Sequence, residues 1–409
     1  MSDAALKPAP RASLFSGLSR DVWLLAGCQA LCNVNTAIVI SASGLVGAML
    51  AVDKSLATLP HALYWLATMA CSVLASLLMR RVGRRIGFLT GAVFGLIGSL
   101  AAALAIYEGT FHGFIAASII LGGFNAVAML YRFAAAEMTA PAVRARSISL
   151  VIGGGIVAAL IGPEIAKHTV GALPPYTFMG TYLALALVPI ALAVVIMLVR
   201  FPPTPARAAG PAGRPLAEIM RSRNFIVAVL AGTIGWGGMV LVMTATPISM
   251  VACGLTFADS AFVIQWHIVG MFAPSFFTGA LIARFGLARV MYAGVALMAS
   301  GVVAGLTGLA VVNFLLINVL AGVGWNFLFV GGTTLLTTVY RPEERNKVEA
   351  VNDFLVFGMV ALSSFTSGWL HNLFGWNAVA YALIPATAVM LVAIAWFSAA
   401  PRLKSAASS

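Results

Sequence analysis

The chain has 409 residues, of which 61% are hydrophobic and only 9% charged, with a net charge of +12 and a mean hydropathy of +1.01. A soluble globular chain carries about a quarter charged residues, so this balance excludes a soluble protein and describes a membrane one. The four cysteines do not make a disulfide framework, and with no Walker loop, zinc-hydrolase motif or nucleophile elbow the sequence gives no support to an ATP-driven pump or a membrane enzyme.

In chain order, the N-terminal tail (1–21) carries Lys7, Arg11 and Arg20 ahead of an apolar run that continues to about Leu45. No cleavage site interrupts it, so a retained first span is expected rather than a signal peptide. Apolar runs of about 20 residues predict six helices over 22–45, 60–79, 86–107, 112–138, 147–167 and 177–199. A Pro-, Gly- and Arg-rich stretch (200–223) follows and predicts a flexible cytosolic linker. Six further helices are expected over 224–250, 259–283, 288–310, 313–339, 348–370 and 377–398, before a tail at 399–409. The expected fold is an all-α integral membrane protein of twelve transmembrane helices in two halves, 22–199 and 224–398. With the N-terminus inside, every one of the 24 Lys and Arg residues except Lys54, Lys167 and Arg132 falls on the inner side or in the linker. Positive charge retained inside sets orientation, so both termini are expected to be cytoplasmic and the basic balance implies no nucleic-acid partner.

The two halves repeat. The tripeptide GFN at 123–125 recurs as GWN at 324–326, and Pro141 and Arg144 match Pro342 and Arg345 at the same offset. The segment SLLMRRVGRRIG (76–87) has a counterpart in GALIARFGLARV (279–290). Such paired halves are an architecture of transporters that rock around a midplane site. The segment 76–87 resembles the G-x-x-x-D-R-x-G-R-R/K signature of the major facilitator superfamily: Arg81, Gly83, Arg84 and Arg85 fit, while Ser76 and Arg80 replace the first Gly and the Asp. The second copy keeps Gly279, Arg284 and Gly286 with Ala283 at the acidic position. The resemblance implies transport by alternating access, and the loss of both acids implies a departure from the usual cytoplasmic latch. Gly162–Pro163 is a fragment of that superfamily's antiporter motif, which leaves a proton-coupled drug or metabolite exporter as a weak alternative.

Helices 7 and 8 carry the most specific pattern. MVLVM (239–243) and HIVGM (267–271) lie at equal distances on either side of residue 255, inside the predicted turn. Met243 pairs with His267 and Met239 with Met271, each about 18–24 Å from the apex at 1.5 Å per residue. Spacing by four keeps each pair on one helix face. Three thioethers and an imidazole are a soft, neutral set that suits Cu(I), whereas methionines alone are ordinary packing in a membrane helix. An M-x-x-x-M followed by an H-x-x-x-M resembles the CcoA-like (CalT) copper importers, a branch of the same superfamily. That resemblance implies Met239, Met243, His267 and Met271 as copper ligands and copper as cargo rather than cofactor. It also implies import across the bacterial inner membrane for cytochrome c oxidase assembly, with periplasmic and cytosolic copper chaperones as partners beside the lipid bilayer. Related sequences carry the label of riboflavin transporter, so import of a small organic molecule through a cavity of aromatics and amides stands as the alternative. A non-transporting metal sensor has little support, because no cytosolic signalling domain accompanies the spans.

Other residues have two readings each. Cys28 and Cys32 are a metal relay or apolar fillers; Met250 and Cys253 are a first metal contact at the outer turn or variable turn residues. His61, His112, His168 and His371 map to outer helix ends, as a metal-gathering rim or inert interfacial residues. Glu164 and Asp353 are candidates for proton coupling, or an interfacial residue and a helix cap. Arg132 needs a partner, and Glu137, five residues on, points to another face. Asn125, Asn326, Gln29, Asn33 and Trp325 line a cavity or make interhelical hydrogen bonds.

Overall fold

A computed structural model describes residues 18–140, 144–202, 213–341 and 343–399. The linker residues 203–212, Pro141, Pro342 and most of both tails, with Lys7 and Arg11, lie outside the described residues, as does the side chain of Arg80.

The chain forms twelve principal helices: α1 Arg20–Leu50, α2 Leu59–Val82, α3 Arg84–Tyr107, α4 Phe111–Ala128 continued by Tyr131–Glu137, α5 Arg144–Thr169 and α6 Met179–Leu198 make the first half. The second half is α7 Arg223–Ala252, α8 Phe257–Phe272 continued by Ser275–Phe285, α9 Leu287–Leu306, α10 Val311–Leu336, α11 Arg345–Phe374 and α12 Trp376–Tyr381 continued by Leu383–Ser398. Among the described residues ten are long and apolar enough to cross a membrane, and up to eleven if α8 and its continuation, bent by 43° at a break, count as one span. The bend falls at Ala273–Pro274, where proline withholds a backbone donor. Helix α5, 26 residues long, completes the bundle and buries Val151, Ala158, Ala159 and Ala166. No strand occurs among the described residues, as expected where each backbone N–H in lipid needs a partner within its own segment.

Local chemistry fixes the ends. Thr256 caps α8 reciprocally: its hydroxyl accepts from Asp259 N–H, and the Asp259 carboxylate accepts from Thr256 N–H at 2.9 Å. The α2–α3 corner is Gly83 (φ 86°, ψ 162°) and the corner entering α9 is Gly286 (φ 87°, ψ 154°). Both glycines come from the repeated motif, and both adopt a conformation closed to residues with a Cβ. The linker's downstream end is anchored: Arg214 pairs with the fully buried Glu344 at 2.7 Å, and a short helix, Leu216–Met220, leads into α7.

The halves meet mainly along α2 with α11, α5 with α8 and α1 with α7. Hydrogen bonds from Thr58 and Gln265 join them. Thr58 Oγ1 donates to the Phe365 carbonyl (3.2 Å) and accepts from Gly368 N–H (3.2 Å), and Gln265 Nε2 donates to the Leu160 carbonyl (3.4 Å). All three lie beyond the bundle's centre, on the side away from the linker. On the linker side Arg84 pairs with Glu137 within the first half and Arg345 with Glu349 within the second, while Arg132 and Asp353 face each other across the halves. The hydrogen bonds that join the halves thus lie at the end away from the basic loops.

Candidate functional site

A cavity of ≈ 80 Å³ lies between the halves. Helical spacing selects its walls. Asn33, Thr36, Ala37 and Ile40 form one face of α1, and Trp236, Met239 and Met243 one face of α7. Ile268, Met271 and Phe272 come from α8, while α2, α4 and α5 add Trp65, Asn125, Met129 and Ala158.

An aromatic cluster closes the cavity. Trp65 meets Trp236 edge-on at 6.0 Å and stacks on Phe357 at 6.2 Å, joining the two halves. Trp236 also meets Trp325 at 4.9 Å, and Phe178 meets Phe257 at 5.1 Å nearer the end that holds Thr58. Offset and edge-to-face pairs of this kind are favourable beyond the area they bury, so the seal needs no charge. Trp65 is itself oriented, donating its indole N–H to His61 Nε2 at 3.0 Å.

The structure brings Met239, Met243 and Met271 together on the cavity wall, as the hairpin register predicts, and places His267 elsewhere. Successive helical residues turn by about 100°, and His267 points toward α10 rather than into the cavity. Its Nδ1 lies 2.6 Å from the Asn318 carbonyl oxygen, which makes Nδ1 the protonated nitrogen, and its Nε2 is buried without a partner. Asn318 in turn donates to Thr246 Oγ1 at 2.8 Å, tying α7, α8 and α10 into one buried polar network.

The remaining candidates separate. Cys28 and Cys32 are buried in the core of the first half, beside Tyr131 and off the cavity. Met250 is buried in the second-half core, while Cys253 is exposed at the end of α7, so the two do not form one site. Glu164 pairs with Lys167 (3.0 Å) and His168 (3.4 Å) at the end that holds Thr58, in half-exposed surroundings. Asp353 faces Arg132 across the halves, with Glu349 also in its neighbourhood, and Glu137 is engaged by Arg84 instead. Asn125 accepts from Thr36 (3.2 Å) and donates to Thr68 (3.3 Å); Asn326 accepts from Thr278 (2.7 Å) and donates to the Met271 carbonyl (2.8 Å). Among the described residues no group of three or more His, Cys, Asp and Glu side chains is placed to hold a metal ion, so the four outer histidines do not make a rim.

Trp65, Trp236 and Phe272 were not singled out by sequence reasoning. One signal was present for Trp236, which sits among Gly235, Gly237 and Gly238 in the middle of α7: small neighbours leave room for an indole to reach across a helix interface.

The Major Facilitator Superfamily profile matches residues 23–273 and 243–409. The chain is 38% identical over 375 residues to the riboflavin transporter RfnT of Brucella anthropi, covering 91% of this chain and 94% of that protein. It is also 25% identical over 385 residues to YdeG of Bacillus subtilis (90% and 87% covered) and 35% identical over 137 residues to YddS of the same organism (33% and 30% covered), both described as uncharacterized MFS-type transporters. The first of these overturns copper as the expected cargo, since a relative matching nearly the whole chain is a riboflavin transporter. His267 itself faces α10 rather than the cavity that Met239, Met243 and Met271 line. Fold, repeat and sequence agree that this chain is a multi-pass membrane protein and belongs to the Major Facilitator Superfamily of transporters.

Proposed function

We propose that this transporter imports a small organic molecule with a flat heteroaromatic ring, of the riboflavin kind, across the bacterial cytoplasmic membrane. The observation that carries the reading is the cavity wall, where Trp65, Trp236 and Phe272 stand with four thioethers and two carboxamides between the halves. Indoles and polarizable sulfur favour the faces and edges of an aromatic ring, and amides supply hydrogen bonds at its rim. The likeness to RfnT supports the same substrate class. Import follows by alternating access. The hydrogen bonds that join the halves lie at the end holding Thr58, and import delivers cargo to the side of the basic loops. With those loops inside, that side is the cytoplasm and both termini lie in it.

The test is uptake of radiolabelled riboflavin in cells expressing the wild type, a Trp236→Ala variant at matched expression, or neither. Accumulation with the wild type and, at substrate well below KM, a roughly tenfold lower rate in the variant are expected. Accumulation no greater than in cells lacking the chain overturns the reading.

A further inference from the structure

None of the residues that line the cavity is Lys, Arg, His, Asp or Glu. Its carboxamides and hydroxyl belong to Asn33, Thr36 and Asn125, and they differ in what they leave free. Asn125 uses both ends of its carboxamide, accepting from Thr36 and donating to Thr68. The Thr36 hydroxyl is shared among the Cys32 carbonyl, Tyr64 and Asn125. Asn33 is different. Its Oδ1 accepts from Gln29 Nε2 at 3.0 Å, one helical turn back on α1, which fixes the plane of the amide and leaves Nδ2 with no hydrogen bond to the described residues. The Asn33 amide is thus an oriented, unused donor on an uncharged wall, beside the indole N–H of Trp236.

From this arrangement we infer that Asn33 is a specificity-determining residue that donates its Nδ2–H to a carbonyl oxygen on the rim of a planar substrate, and that the cavity takes only the uncharged form of that substrate. The inference rests on the flavin-type cargo proposed above. A phosphate on the cargo would enter a wall with no cation to pair it, and an unpaired charge out of water is far costlier than an unpaired hydroxyl. For a flavin this divides free riboflavin, and the bare ring system, from the phosphorylated flavin nucleotides. A donor aimed at the ring carbonyls also makes recognition depend on the ring rather than on the ribityl chain.

The experiment titrates the purified full-length chain in lipid nanodiscs by quenching of flavin fluorescence. Riboflavin, lumiflavin (the ring without the ribityl chain) and flavin mononucleotide are compared on the wild type and on Asn33→Ala. Binding of riboflavin and lumiflavin within about tenfold of each other is expected, with flavin mononucleotide at least about 100-fold weaker. Loss of one hydrogen bond in Asn33→Ala should weaken both neutral ligands alike, by about three- to tenfold. The panel on the wild type needs no variant to fold, and thermal melting shows whether Asn33→Ala does. Flavin mononucleotide binding as tightly as riboflavin overturns the charge selection. A folded Asn33→Ala that binds normally, or that weakens riboflavin and spares lumiflavin, overturns the assignment of Asn33 to a ring carbonyl. In either case the flavin cargo itself stands. A wild type that binds none of the three overturns the cargo on which the inference rests.

Discussion

His267 and Asn318 are joined across α8 and α10, with the imidazole Nδ1 2.6 Å from the Asn318 carbonyl oxygen in a fully buried setting. The bond gives an intramembrane histidine a structural task, one donor reaching between two helices of the same half. Interhelical hydrogen bonds in membrane proteins average about 0.6 kcal/mol and reach about 1.7. His267→Phe keeps a ring of similar bulk and removes the donor. A stability loss of about 1 kcal/mol by thermal melting is expected, with the KM for riboflavin uptake unchanged. A large rise in KM with normal melting would show that His267 meets the cargo.

The thioethers admit a sharper test. If Met243 serves as apolar wall, Met243→Leu conserves volume and should change riboflavin uptake by less than about threefold. Trp236→Ala removes the largest aromatic surface α7 gives the cavity and should raise KM by about tenfold, a change of roughly 1.4 kcal/mol. Uptake kinetics on both variants, side by side, separate volume from chemistry.

Thr58 joins the halves at the end away from the linker through one hydroxyl that both donates to the Phe365 carbonyl and accepts from Gly368 N–H. Thr58→Val preserves the shape and loses both bonds, about 1–2 kcal/mol at roughly 1 kcal/mol each. The population open at that end should therefore rise by about tenfold. Spin labels at Val52 and Phe374, exposed residues of opposite halves, report it as growth of a longer-distance population in pulsed dipolar measurements. An unchanged distance distribution would place the seal in the aromatic cluster alone.

Glu344 predicts a pH dependence outside the membrane-spanning segments. The Arg214 guanidinium first, then the backbone N–H groups of Arg341 and Arg214, hold its carboxyl well below the ordinary glutamate value of 4.5. A carboxylate whose folded pKa is depressed stabilises the fold fully above its unfolded pKa, and that contribution erodes as pH falls toward the folded value. Glu344→Gln should therefore melt below the wild type at pH 7, and the gap should narrow as pH drops below about 4.5. A gap that stays constant from pH 7 to pH 3 would show that the carboxylate is not ionised in the fold.

Much of this architecture is written in the sequence because lipid imposes it. Apolar runs mark the spans, and the repeats at 123–125 and 324–326 mark the two halves. Residue spacing about the α7–α8 turn places Met239 level with Met271 and Met243 one turn nearer the apex, and the structure finds all three on one wall. Spacing fixes depth better than azimuth, however. His267 and Ile268 differ by one residue and by about 100° of rotation, and it is Ile268 that faces the cavity. Trp65 and Trp236 escaped notice for a related reason: an indole inside an apolar run looks the same whether it packs against lipid, core or cargo, and only the opposing half distinguishes them. Arg132 faces Asp353, far along the chain, which no local pattern reveals, whereas Glu164 is held within its own helix by Lys167 and His168.

Gly83 and Gly286 share nearly the same dihedral angles, one corner in each half. The charges around the two corners have drifted apart, with Arg80 at one acidic position and Ala283 at the other, yet the elbow itself persists because only glycine can make it. An ancestral duplication thus survives here as bond rotation rather than as electrostatics. Each elbow rigidly sets the angle between two successive helices, and it does so equally in both copies. The give needed for a transport stroke must then come from sliding along the seams where the copies touch, two stiff shells turning about a shared cargo.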